Sequence, residues 1–150
     1  KVLLSIFLLA IFGWQVFMGF DFRFGWSPVP VWAQVVGALV MLVGIWICYL
    51  TMLENSFAAP VVKIQDERGQ RVISTGPYSY VRHPMYLGVI VLYLCVPLAL
   101  GSWRALLPGA ANAGLMVIRA RQEDRMLRAE LGGYEAYAQR VRYRLLPGVW

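Results

Sequence analysis

Two stretches of this chain dictate its environment before anything else is considered. From Val2 to Phe20 the sequence VLLSIFLLAIFGWQVFMGF carries no charge, and its length is close to the roughly 20 apolar residues that cross a bilayer core. Val31 to Met52 repeats the pattern, with Gln34 as a polar residue near its start. Both read as membrane-spanning helices. The first is too long for a signal-peptide core and lacks a small-residue cleavage pattern. Because the chain starts at Lys1 and not at Met, it is expected to have been trimmed or processed there.

Between the two runs, DFRFGWSPVP (Asp21 to Pro30) supplies charges, a glycine and two prolines, which is turn chemistry. From Leu53 to Tyr80 charges mix with Val/Ile alternation and no apolar run is long enough to cross. That segment is expected at the membrane surface, partly irregular or strand-like and partly interfacial helix. Met85 to Leu100, interrupted by Pro97, and Trp103 to Ile118, weakened by Pro108, Gly109, Asn112 and Gly114, form two shorter apolar segments. Gly101 and Ser102 leave room only for a tight turn between them, so a short helical hairpin is expected. The tail from Arg119 to Tyr143 has mixed helical spacing with a break at Gly132 and Gly133, and reads as a helix leaving the membrane. The expected architecture is all-α: one polytopic membrane domain over residues 1–150, with about four transmembrane helices (2–20, 31–52, 85–100 and 103–118), a cytoplasmic connecting segment and a C-terminal helix.

Charge supports that count. Four crossings put every Lys and Arg except Arg23 and Arg104 on one side, out of a total of 14. The positive-inside rule then places the N-terminus, central segment and tail in the cytoplasm. Charged residues make up 15% of the chain, against about 25% in soluble domains. The net charge of +6 forms no basic stripe on a soluble face, which argues against nucleic acid as a partner. Cys48 and Cys95 lie inside apolar runs without neighbouring Cys or His, and read as buried thiols with no metal site.

The chemistry concentrates where the third helix begins. GPYSYVRHPMYLG (76 to 88) holds the only histidine, His83, between Arg82 and Pro84. Pro84 suits a first helical position. Such a helix start, beside the cations Arg82 and His83, can hold a carboxylate or phosphate. Gly88 lets a ligand or another helix approach closely. The tight hairpin brings this end beside RARQED (119 to 124), where Arg119 and Glu123 share one helical face. Glu123 can accept from hydroxyl or ammonium groups, Arg119 can steer an anionic group, and Tyr78 and Tyr86 can cover a cation or stack on a flat ring. Taken singly, the same residues also fit an interfacial cap, positive-inside anchors, an aromatic belt and a packing glycine.

Together, GPYSYVRHPMYLG, the hydrophobic hairpin, the acidic pair and the tail EDRMLRAELGGYEAYAQRVRYRLLP resemble the isoprenylcysteine carboxyl methyltransferase and phospholipid methyltransferase superfamily, whose signature is RHPxYxG followed by an apolar stretch and two acidic residues. The resemblance runs from about Asn55 to the end and looks like the bacterial branch. It implies a membrane-embedded enzyme, in the bacterial inner membrane, with S-adenosylmethionine as methyl donor and no metal. The acceptor would be a lipophilic or small molecule bearing a carboxylate, amine or thiol. The residues implied to hold the cofactor are Gln65, Arg71, Val72, Ile73, Tyr78, Arg82, His83, Pro84, Tyr86, Gly88 and Glu123. Arg119 is implied as the catalytic, substrate-side residue. The chain departs from the pattern at Gln70, where many relatives have His, and at Asp124, where the second acidic residue is otherwise Glu. The competing reading is a non-enzymatic small membrane transporter or scaffold in which the motif is a structural clamp. The scarcity of polar residues in the spans counts against a transport path.

Overall fold

The computed structural model describes residues 2–57 and 69–150, with side chains from residue 9 onward. Among the described residues five α-helices follow in order: α1 (Val2–Phe24), α2 (Val31–Glu54), α3 (Pro84–Ala99), α4 (Leu106–Glu130) and α5 (Tyr134–Arg140), with a 3-10 turn at Gly76–Ser79 before α3. Among the described residues there is no strand, so the part of the central segment that can be described is irregular backbone plus that turn.

Small residues set the spacing of α2 and α3. Ala33, Gly37 and Gly44 lie on the buried face of α2. A Cβ built on Gly88 of α3 would stand 2.5 Å from Cys48 Sγ and 3.0 Å from the Gly44 carbonyl oxygen. The helices therefore touch backbone to backbone, the arrangement small residues permit where helices cross in a membrane. The rest of α2 turns outward, leaving Trp32, Leu39, Leu42, Val43, Trp46 and Leu53 exposed. An apolar surface of that extent needs a non-aqueous partner.

Pro97 does not interrupt α3, which continues to Ala99. A proline has no N–H for the carbonyl four residues back. That carbonyl belongs to Tyr93, and Gly109 of α4 packs directly on it. A missing hydrogen bond on one helix is thus matched to a missing side chain on the next. Trp14 and Met18 of α1 complete the core with Tyr93, Ala105, Ala113 and Met116, and Trp14 Nε1 donates to the Ala105 carbonyl at 3.0 Å.

Two boundaries differ from the sequence expectation. α1 runs on through Asp21 to Phe24, because the fully buried Asp21 carboxylate accepts hydrogen bonds from the Ser27 and Ser102 hydroxyls; the turn follows at Gly25, whose φ is +63°. α4 starts three residues later than expected and continues without a break into the charged tail, ending just before Gly132 and Gly133. The count of four crossings is not established. Among the described residues only α2 is long and apolar enough to span by itself; α3 has 16 residues, fewer than the roughly 20 of a full crossing.

Candidate active site

Adjacent residues on a helix point about 100° apart. At the end of α4 this sends Asp124 inward and leaves the neighbouring Glu123 half-buried. Asp124 is 1% exposed. Arg82 grips it with two parallel bonds, Nε to Oδ1 at 2.7 Å and Nη2 to Oδ2 at 3.2 Å. Arg144 Nε donates at 3.0 Å, Arg128 Nε at 3.3 Å and the Tyr134 hydroxyl at 3.0 Å. His83 Nε2 stands 3.5 Å from Oδ1 without completing a hydrogen bond. Burial alone pushes the Asp124 carboxyl up, but the nearby His83 ring and the hydrogen bonds from Arg82 and Arg144 outweigh it and hold the group well below the usual carboxylate range. Burial first, then the Asp124 charge, pushes the Tyr134 hydroxyl up.

The chain after α5 straps across the start of α3. Arg82 and His83 donate their backbone N–H groups to the carbonyls of Tyr143 and Arg144, and Arg82 Nη1 donates to those of Val141 and Arg142. Arg82 is thus committed to Asp124 and the strap. Pro84 occupies the first turn of α3, and no side chain caps that helix start.

One turn further on, a second set of groups meets. The Tyr86 hydroxyl donates to Glu123 Oε2 at 2.7 Å, and the Arg119 guanidinium carbon lies 5.9 Å from the centre of the Tyr86 ring. The His83 ring is 5.8 Å from that of Tyr86. The Tyr78 hydroxyl accepts from Asn55 Nδ2 at 2.7 Å, and its carbonyl accepts from the Tyr137 hydroxyl at 2.8 Å, which ties α2, the 3-10 turn and α5 together. Burial and the Glu123 charge push the Tyr78 hydroxyl up, against the Asn55 hydrogen bond.

Of the residues singled out in the sequence, Tyr86, Arg119 and Glu123 form one contact set, with His83 and Tyr78 at its edges. Arg82 faces away from it into the Asp124 cluster. Gly88 faces α2. Arg71 is exposed, Ile73 is half-buried, and Val72 packs against Leu127, Tyr134, Tyr137 and Ala138. Gln65 lies outside the described residues. Sequence reasoning gave Asp124 less weight than Glu123 and passed over Asn55, Tyr134, Tyr137 and Arg144. An acidic residue that is the second of a pair in a strongly basic tail was the available signal for Asp124.

A family model described as phospholipid methyltransferase matches residues 32–132. The chain belongs to this family. The matched stretch holds Tyr78, His83, Tyr86, Arg119, Glu123 and Asp124, and leaves α5 and the strap beyond it. A methanethiol S-methyltransferase from Bradyrhizobium diazoefficiens is 28% identical over 93% of this chain and 56% of its own. A delta(14)-sterol reductase from Schizosaccharomyces pombe is 30% identical over 58% of this chain and 21% of its own. In fold, the chain is similar to the eukaryotic intramembrane Ras methyltransferase, isoprenylcysteine carboxyl methyltransferase. The TM-score is 0.73 and the identity 18%, over 97% of this chain and 52% of that one. The chain thus spans about half or less of the length of these relatives. The membrane methyltransferase superfamily read from the RHPxYxG motif is the one these likenesses support.

Proposed function

We propose that the protein is an S-adenosylmethionine-dependent methyltransferase embedded in a membrane, acting on a lipophilic or small acceptor with a carboxylate, amine or thiol nucleophile. The observation that carries the reading is the meeting of Tyr86, Glu123 and Arg119 where the apolar part of α4 gives way to its charged end. Family membership and the thiol methyltransferase relative support it. We further propose four crossings in a bacterial inner membrane, with the N-terminus, central segment and tail cytoplasmic.

The donor set fits the cofactor's chemistry. An amino-acid carboxylate suits the uncapped start of α3, ribose hydroxyls or an ammonium suit Glu123, and a flat ring suits Tyr78 or Tyr86. The bound sulfonium supplies an electrophilic methyl group. What the chain contributes is placement and electrostatics. Glu123, fixed by the Tyr86 hydroxyl, holds the donor, and Arg119 orients an anionic acceptor arriving from the apolar side. For an anionic acceptor, a membrane setting that keeps water out favours a step in which opposite charges cancel, and alignment lowers the barrier further. Arg71, Val72, Ile73 and Gln65 belong to the proposed cofactor side. Pro84 and Gly88 act there through the backbone, one starting α3 and the other seating it on α2. Arg82 and Asp124 hold the frame.

The test is transfer of labelled methyl from S-adenosylmethionine to a panel of small thiols, prenylated cysteine carboxylates and phospholipid amines. Labelling of at least one class that is lost in Glu123→Ala supports the reading, and a folded protein that labels none contradicts it. The sterol reductase relative gives a second reading, a reductase, which predicts saturable binding of a nicotinamide cofactor instead.

A further inference from the structure

One surface lies outside the site just described. Along the outer face of α4 the residues Leu107, Leu115 and Ile118 are exposed, at 79%, 51% and 51%. At the next turns the same face changes to Arg121 and Arg125, both exposed. The strap returns to this boundary. The Arg121 guanidinium carbon lies 4.8 Å from the centre of the Trp150 ring and that of Arg144 lies 5.0 Å from it. The Trp150 carbonyl is turned inward and accepts from the backbone N–H groups of Arg144, Leu145 and Leu146. Beside this ring, Leu146 and Val149 stand 48% and 77% exposed. Among the described residues neither Arg121 nor Arg125 is in an ion pair.

We propose that Arg121, Arg125 and Trp150 form a binding site for the headgroup phosphate of an anionic phospholipid, with Leu146 and Val149 resting on its acyl chains. The inference depends on the chain being membrane-embedded, as the proposed function holds. Two observations point to this occupant. The apolar stripe of α4 runs directly into the cations, so the acyl chains that cover Leu107 and Ile118 end where Arg121 and Arg125 begin. The indole beside them is amphipathic, a side chain suited to headgroup depth. Two guanidiniums with no carboxylate partner among the described residues complement a phosphodiester. Arg144 joins this surface to the frame, because the same side chain touches Trp150 and donates to Asp124. A bound lipid therefore holds the strap against the start of α3.

The experiment is native mass spectrometry of the detergent-purified protein with equimolar phosphatidylglycerol and phosphatidylcholine of matched acyl chains. The wild type is expected to retain phosphatidylglycerol in preference to phosphatidylcholine by roughly thirtyfold, the combined attraction of two cations to an anionic headgroup. Arg121→Gln with Arg125→Gln is expected to bring the two lipids to parity, while Arg23→Gln, at the other end of the bundle, keeps the preference. Parity in the wild type, or an undiminished preference in the double variant, overturns the proposal. Counting lipid adducts needs neither cofactor nor turnover, so this result stands or falls separately from methyltransferase activity.

Discussion

Asp124 and Arg82 meet as a two-pronged ion pair, 2.7 and 3.2 Å, in which both side chains are almost completely buried. The pair joins the end of α4 to the start of α3. Removing Asp124 leaves the Arg82 guanidinium buried without a counter-ion, which costs on the order of 3–5 kcal/mol; removing Arg82 takes two hydrogen bonds from a buried carboxylate that Arg128, Arg144 and Tyr134 still contact. Asp124→Ala and Arg82→Ala are each expected to lower the thermal midpoint of the purified protein sharply, and the double variant to lose less than the sum of the two. Additive losses would mean that the two side chains act independently.

The same carboxyl sets a pH response. The folded state holds the Asp124 pKa below its unfolded value, so its contribution is fully present above the unfolded value, roughly 3.9, and is lost as pH falls further toward the folded one. Thermal melts from about pH 6 down to pH 3 are expected to show falling stability in the wild type. Asp124→Asn, already destabilised at pH 6, is expected to fall less over that interval. Parallel curves would assign the acid response to other groups.

Gly88 tests the backbone contact of α2 and α3. An alanine there places its methyl carbon 2.5 Å from Cys48 Sγ, and overpacking of this kind costs about 1–3 kcal/mol. Gly88→Ala is expected to lower the thermal midpoint. Adding Cys48→Ala is expected to recover part of the loss and not all of it, since the Gly44 carbonyl is also close, at 3.0 Å. Full stability in Gly88→Ala would show that the helices separate freely.

Arg119 is proposed to face the acceptor and not the donor. Its guanidinium lies over the Tyr86 ring, on the α4 face one turn before Glu123. Arg119→Ala is expected to reduce kcat/KM for the acceptor by about 10- to 100-fold, the loss of one charge-assisted contact of roughly 1.5–3 kcal/mol. Affinity for S-adenosylmethionine is expected to change little. Unchanged turnover of the true acceptor would remove Arg119 from the reaction.

The helices were legible in the sequence because their signal is local: uncharged runs, then Gly and Pro at the breaks. The end of α1 was not, since the carboxylate of Asp21 is accommodated by Ser102, which is remote in sequence. The continuation of α3 through Pro97 escaped for a similar reason, its compensation lying on α4 at Gly109. In the site, helical spacing placed Arg119 and Glu123 on one face, and the tight hairpin brought them to Tyr86. Asp124 was underweighted because its partners Arg82, Tyr134 and Arg144 come from three separate segments, and nothing in local spacing shows which of two adjacent carboxylates turns inward.

The most direct measurement is calorimetric titration of the purified protein in detergent with S-adenosylmethionine, alongside Glu123→Ala and His83→Ala. Saturable one-site binding by the wild type is expected, weakened by tenfold or more in both variants. A folded wild type that takes up no S-adenosylmethionine, or variants that bind as tightly as the wild type, would contradict the proposed function.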